Sequence, residues 1–178
     1  RATLDKMPPV ISLDTSLPNL ETDSFCDSFF SALAQSQKPI VLAGRGIATS
    51  ETREALEKFV NSYQLPLVTS LLAIDVLEGE NPNKVGFIGS YGNRWANIAL
   101  GNADLVLVVG SRLDIRQTGA DINSFMKDKI IFHVDIDAHE INSRITANYC
   151  LNTDLKSFFD CLNEKEKKQI KDLNPWKA

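Results

Sequence analysis

Polar and charged side chains crowd behind a single glycine in the run Ala103 to Gly119, ADLVLVVGSRLDIRQTG. Ser111, Arg112, Asp114, Arg116, Gln117 and Thr118 all follow Gly110 within a few positions. Two arginines so placed suit a phosphate, because each guanidinium donates two hydrogen bonds to adjacent oxygens. They serve equally as surface residues paired with Asp114 or Asp121. A second glycine turn, Gly44-Arg45-Gly46, follows the apolar run Ile40 to Ala43. It lacks the six-position G-x-G-x-x-G spacing of dinucleotide folds, so it reads as a phosphate approach or simply as a tight turn. Asp135 and Asp137 stand one apart after a third apolar run, where alternate side chains share a side. An acidic residue there can accept from a ribose. Asp137 followed by Glu140 at the third position equally resembles a helix cap.

Other chemistry is sparse. His133 and His139 have no evident thiol or histidine partner, so they read as core or surface histidines rather than zinc ligands. Ser111 has no G-x-S-x-G elbow around it. No catalytic residue and no metal ligand is assigned.

The elements that must position these residues follow from periodicity. Leu105 to Val109 is a continuous apolar run stopped by a glycine, the pattern of a strand buried on both faces. Similar short runs predict strands at about 40–43, 66–69, 85–88, 130–134 and 149–151. Between them, helical spacing places Phe25, Phe29, Phe30, Leu33 and Ala34 on a first helix capped by Thr22 or Asp23. It places Ala55, Leu56, Phe59, Val60 and Tyr63 on a second that starts at Ser50. Further helices are expected at Trp95 to Leu100, at Ala138 to Ser143 behind Asp137, and from Asp154 through Leu162. The alternation predicts an α/β fold: a three-layer, doubly wound, mainly parallel six-stranded sheet of the Rossmann-like, nucleotide-binding type. Residues 1–20, with Pro8, Pro9 and Pro18, read as an extended connector. Residues 21–164 read as the folded domain, and 165–178 as a charged tail or linker.

Composition narrows the class. The 178 residues carry a net charge of −4, with 43% hydrophobic and 24% charged residues. An acidic chain with a pI near 5.2 is not a general nucleic-acid binder. No apolar run reaches the length of a membrane span. Three cysteines without a CxxC pair argue against a disulfide framework and fit a reducing, cytoplasmic setting.

The segments KPIVLAGRG, LPLVTSLLAIDVL, FIGSYGNRWANIALGNADLVLVVGSRLDIRQTG, KIIFHVDIDAHEI and NTDLKSF occur in that order between residues 38 and 158. In order and spacing they resemble the central domain of thiamine-diphosphate-dependent enzymes, and among those the large subunit of acetolactate synthase. The resemblance implies a middle domain lying between two others that hold thiamine diphosphate and Mg2+, in a homo-oligomeric parent. That parent would decarboxylate a 2-oxo acid such as pyruvate and form a carbon–carbon bond. The family's G-D-G magnesium segment does not occur in these residues, so the resemblance implies a domain without catalysis of its own. It further implies an FAD or ADP site. Gly44 and Gly46 would approach the phosphate or ribose. Thr69, Ser70, Leu71, Leu72, Gly89, Ser90 and Tyr91 would line the flavin side. Gly110, Arg112, Asp114 and Arg116 would contact the dinucleotide, and Asp135, Ile136 and Asp154 its adenosine end. Three positions depart from the family pattern: Arg45 for a glycine, Tyr91 for a histidine and Ile115 for an aspartate. A free-standing nucleotide module such as a flavoprotein electron carrier, or an NAD-dependent deacylase-like domain, are the alternatives. A deacylase would bring a zinc cysteine set, and the cysteines here lack that spacing.

Overall fold

The computed structural model describes residues 20–77 and 79–165. Apart from Leu20 and Lys165, the expected connector and tail lie outside the described residues. Six strands form one all-parallel sheet: β1 (Pro39–Ala43), β2 (Leu67–Thr69), β3 (Lys84–Phe87), β4 (Leu105–Val109), β5 (Ile130–Asp135) and β6 (Tyr149–Asn152), in the order β3-β2-β1-β4-β5-β6. The central strands β1, β2 and β4 are buried at every position, as continuous apolar runs require. The edge strands β3 and β6 are only partly buried.

Helices α1 (Leu20–Gln35), α2 (Ser50–Tyr63) and α6 (Leu155–Glu164) cover one face of the sheet. On the other face, helices α3 (Arg94–Asn102) and α5 (Ile122–Met126) pack into a second apolar cluster, and the short α4 (Ile115–Thr118) lies between them in the chain. The three layers therefore enclose two cores, one on each side of β1, β4 and β5. The first is rich in phenylalanine: Phe25, Phe29, Phe30, Phe59, Phe132, Phe158 and Phe159 are all buried within it.

Several local expectations change. Helix α1 begins at Leu20, so Thr22 and Asp23 lie inside its first turn and do not cap it. Ala34 is exposed, and Ala32 packs against the core in its place. Helix α3 runs on through Gly101 to Asn102. The helix expected over 138–143 is a series of turns. There the Asp137 carboxylate accepts from the His139 amide, two residues on, and the amides of Glu140 and Ser143 bond three residues back. These local bonds compete with an α-helical ladder. Helices α4 and α5 arise where none was expected, each capped by an aspartate. Asp114 accepts from the amides of Arg116 and Gln117, and Asp121 accepts from that of Ser124.

Strands β1, β4 and β5 start level, which makes their carboxyl ends level. Pro39 lies beside Leu105, and Leu105 beside Ile130. Asp104 holds this edge. Its carboxylate accepts from the Ser36 hydroxyl and from the amides of Gln37 (2.8 Å) and Lys38 (3.0 Å). Its amide donates to Lys38 O, and its carbonyl accepts from the Ile130 amide. Partial burial works to raise the Asp104 pKa, but the Ser36 hydroxyl and the two amides outweigh it and hold the carboxyl below its ordinary value. A depressed folded-state value means stability that is present above the unfolded value of ~3.9 and is lost as pH falls through the folded one. Asp104→Ala should cost about 1–2 kcal/mol at pH 7. In urea unfolding from pH 7 to 3, its deficit against wild type should hold down to about pH 4 and shrink below that. A deficit that does not change with pH would show that the carboxylate charge is not what holds the edge.

Candidate functional site

Running from β1 to β2 to β3 the chain moves one way across the sheet, and from β4 to β5 to β6 it moves the other. The order reverses between β1 and β4, and a crevice opens at the carboxyl ends of strands at such a point. Gly44 follows β1 and donates to Val109 O at 2.9 Å; Gly110 follows β4 and donates to Val134 O at 2.9 Å. The two glycine loops then press on each other, with the Gly46 amide 3.0 Å from Gly110 O. A Cβ on Gly46 would sit 2.7 Å from the Gly110 Cα, and Gly110 itself is left-handed at φ +58°. The Gly44-Arg45-Gly46 turn thus packs tightly on the loop after β4. The glycines let two backbones touch, and Gly46 and Gly110 also line the cleft beside them.

That cleft has a volume of about 580 Å³. Of the residues singled out in the sequence, it is lined by Gly46, Ser70, Leu71, Leu72, Ser90, Tyr91, Gly110, Arg112, Asp114, Arg116, Asp135 and Ile136. Four others do not line it. Gly44 lies behind Gly110 and Ser111. Thr69 ends β2, buried, with its hydroxyl unpartnered. Gly89 lines an adjoining hollow of about 460 Å³ that shares Ser90, Arg116 and Gln117 with the cleft. Asp154 caps α6, accepting from the Ser157 amide at 2.9 Å. Ser111, Gln117 and Asp137, whose places behind the strands were noted in the sequence, line the cleft too, as do Arg45, Phe87, Ile88 and Glu140.

The local geometry explains these positions. Leu113 adopts a left-handed φ of 52° and buries its side chain, leaving Arg112 and Asp114 exposed on either side. Asp114 spends its carboxylate on the first amides of α4, which fixes the turn carrying Arg116 and Gln117. The Arg116 carbonyl accepts from the Ser90 amide at 2.9 Å, tying the two loops. Asn97 on α3 clamps Gly89 by bonding both its amide (2.9 Å) and its carbonyl (3.1 Å). Ser111 donates to Gln117 Oε1 at 2.7 Å. The Ser111 carbonyl accepts from His133 Nε2 at 2.9 Å, so this nitrogen carries the proton. Burial lowers the His133 pKa, so the ring is neutral and props the loop from beneath. It is a core histidine.

The charges differ from the simplest surface pairing. Arg112 does not bond Asp114 or Asp121; its Nε lies 3.3 Å from Glu140 Oε1. Among the described residues, Arg45 and Arg116 have no carboxylate at ion-pair distance. Three arginines thus face a hollow whose floor is glycine backbone and whose rim carries the exposed apolar side chains Leu71, Leu72, Tyr91 and Ile136. Guanidinium donors beside such an apolar rim can hold an anion that carries an apolar body. A larger hollow, about 910 Å³, lies at the amino-terminal edge, but Asp23, Asp27, Asp104 and Asp128 line it without an arginine or lysine. Such a lining repels phosphate. Among the described residues, no group of three or more His, Cys, Asp or Glu side chains is arranged to hold a metal ion. No helix among them is long and apolar enough to cross a membrane.

The sequence profile described as thiamine pyrophosphate enzyme, central domain, matches residues 26–162. The chain belongs to that family. Within it, the chain is similar to acetolactate synthase large subunits. That of Lactococcus lactis subsp. lactis is 32% identical over 155 residues, covering 87% of this chain and 27% of the relative. That of Buchnera aphidicola from Acyrthosiphon pisum is 31% identical over 146 residues, covering 81% and 25%. The isozyme 2 large subunit of Escherichia coli is 32% identical over 132 residues, covering 74% and 24%. The chain spans about a quarter of the length of these relatives. Family membership displaces the electron-carrier and deacylase readings.

Proposed function

We propose that this chain is the middle domain of a larger thiamine-diphosphate-dependent enzyme of the acetolactate synthase type, and that its own task is to hold an adenine nucleotide, ADP or FAD, between its neighbours. The parent decarboxylates a 2-oxo acid such as pyruvate and joins the remaining carbons to an acceptor. Thiamine diphosphate and Mg2+ supply that chemistry from domains outside these residues, in a cytoplasmic homo-oligomer. The middle domain contributes no reacting group.

One observation carries the nucleotide reading: arginines 45, 112 and 116 surround the cleft at the reversal point of the sheet, and two of them lack a carboxylate partner among the described residues. Leu72, Tyr91, Trp95 and Ile136 are 67, 83, 72 and 61% exposed beside or near the cleft. Apolar surface of that kind supports cover by a ligand ring or by a neighbouring domain. Three cysteines without a CxxC pair support a reducing compartment.

The test is a titration of ADP and of FAD against this chain and its Arg116→Ala variant, repeated on the longer protein. Loss of a charge-assisted bond to phosphate should weaken binding roughly ten- to a hundredfold, or ~1.5–3 kcal/mol. Equal affinities, or no binding to either protein, would remove the nucleotide role and leave family membership standing.

A further inference from the structure

Helices α1 and α6 bring two cysteines together that are 135 positions apart in the chain. Cys26 sits in α1, fully buried. Cys161 sits on α6, partly exposed, with its Sγ 3.3 Å from Asp23 Oδ1 and 4.0 Å from Thr22 O, one turn of α1 before Cys26. Cys26 follows Thr22 by four residues and Asp23 by three, so Cys161 packs on the face of α1 that carries Cys26. The third cysteine, Cys150, is exposed on β6 and engages Asn142 instead.

We propose that Cys26 and Cys161 form a reversible disulfide when the protein meets a low-molecular-weight disulfide such as oxidised glutathione, stapling the first helix of the domain to the last. Side chains that share one helix–helix contact need only rotation to bring their sulfurs toward the ~2.05 Å of a sulfur–sulfur bond. The exposed thiol reacts first. Cys161 attacks one sulfur of the small disulfide, forming a mixed disulfide; its proton leaves with the released thiol. Cys26 then attacks the Cys161 sulfur, closing the protein disulfide and expelling the second small thiol with the Cys26 proton. Two protein thiols are oxidised, and one small disulfide is reduced to two thiols.

The surroundings set the pace. Burial pushes the Cys26 thiol far above its ordinary pKa. Burial and the Asp23 carboxylate raise that of Cys161, against the pull of the Lys165 ammonium, which itself bonds Asp27 at 2.7 Å. Thiolate is the attacking species, so the closure is slow near neutrality and accelerates as pH rises. A pair guarded this way stays reduced in passing oxidant and closes under sustained exposure.

The experiment uses the full chain carrying Cys150→Ser, incubated with excess oxidised glutathione at pH 7 and pH 9. Intact mass should show loss of two hydrogens with no retained glutathione. Peptide mapping should join the Cys26 and Cys161 peptides, faster at pH 9, and the melting temperature should rise and return on adding a thiol reductant. Adding Cys26→Ala should stop the reaction at glutathione on Cys161. Because that variant alters the core, the mapping on the Cys150→Ser protein decides. Stable glutathionylation of Cys161 there, or both thiols still alkylated after denaturation, would overturn the proposal.

Discussion

Phe132→Ala is expected to destabilise the domain by about 3–5 kcal/mol, a large share of the ~5–15 kcal/mol that holds a domain folded. Phe132 is fully buried in β5. Its ring meets the edges of Phe25 at 5.3 Å and Phe29 at 5.4 Å, and stacks on Tyr149 at 4.2 Å and 6°. Those partners come from α1 and β6, so one ring joins the covering helix, the interior strand and the edge strand. The β5 backbone cannot move into the vacated space, because it is hydrogen-bonded on both sides, to β4 and to β6. The cavity therefore persists, and its cost adds to the lost transfer energy of the ring. Urea unfolding at pH 7 checks this: the midpoint should fall with little change in slope. A loss below about 1 kcal/mol would mean that α1 collapses onto β5 and that the layer is softer than its edge-to-face contacts imply.

The core was legible because burial writes itself into composition. Leu105 to Val109 has no polar position, and a strand with neither face in water has no other pattern available. Level strand ends were not legible, since they depend on Asp104 reaching back to Ser36, Gln37 and Lys38, a contact some 67 residues long in sequence. The helix expected after Asp137 failed for a readable reason. A capping box needs the glutamate at the third position to turn back to the cap amide. Glu140 turns instead to Arg112, and the Asp137 carboxylate bonds the His139 amide. Long-range electrostatics overrode a local signal.

The cleft shows the same division. Residues at strand ends, such as Gly46, Gly110, Arg112 and Asp135, were found because a parallel sheet gathers those ends. Glu140 and Phe87 were not, because their place depends on how loops pack. Asn97 left no signal of its role in pinning Gly89, since an asparagine on an exposed helix face is ordinary in sequence. The aspartates beside the arginines misled. Asp114 and Asp121 look like ion-pair partners in a string of letters, yet each is used as a helix cap. That diversion leaves Arg116 without a carboxylate partner among the described residues, which the nucleotide reading requires.

Gly44→Ala is expected to cost about 3 kcal/mol or more and to weaken any ligand held between the two glycine loops. The cost is not conformational. Gly44 has φ −103° and ψ −172°, extended backbone that alanine adopts freely. It is steric: a Cβ there would lie 2.1 Å from Gly110 O, 2.5 Å from Ser111 Cα and 2.6 Å from Ser111 Cβ. Two of those atoms are backbone, so no side-chain rotation relieves the clash. The loop after β1 must retreat from the loop after β4, stretching the bonds from Gly44 N to Val109 O and from Gly46 N to Gly110 O. Gly46 and Gly110 line the cleft, so the retreat alters its floor. Gly101→Ala is the matched control. Gly101 lies in α3, and a Cβ there meets nothing within 4 Å. Alanine in a helix should be worth up to ~1 kcal/mol over glycine, so the same added methyl group should stabilise. Urea unfolding of both variants checks the sign, and titration with ADP, on the longer protein if the chain alone binds weakly, checks the floor. A Gly44→Ala protein within about 0.5 kcal/mol of wild type would mean that the two loops are not in contact and that the glycines serve the ligand alone.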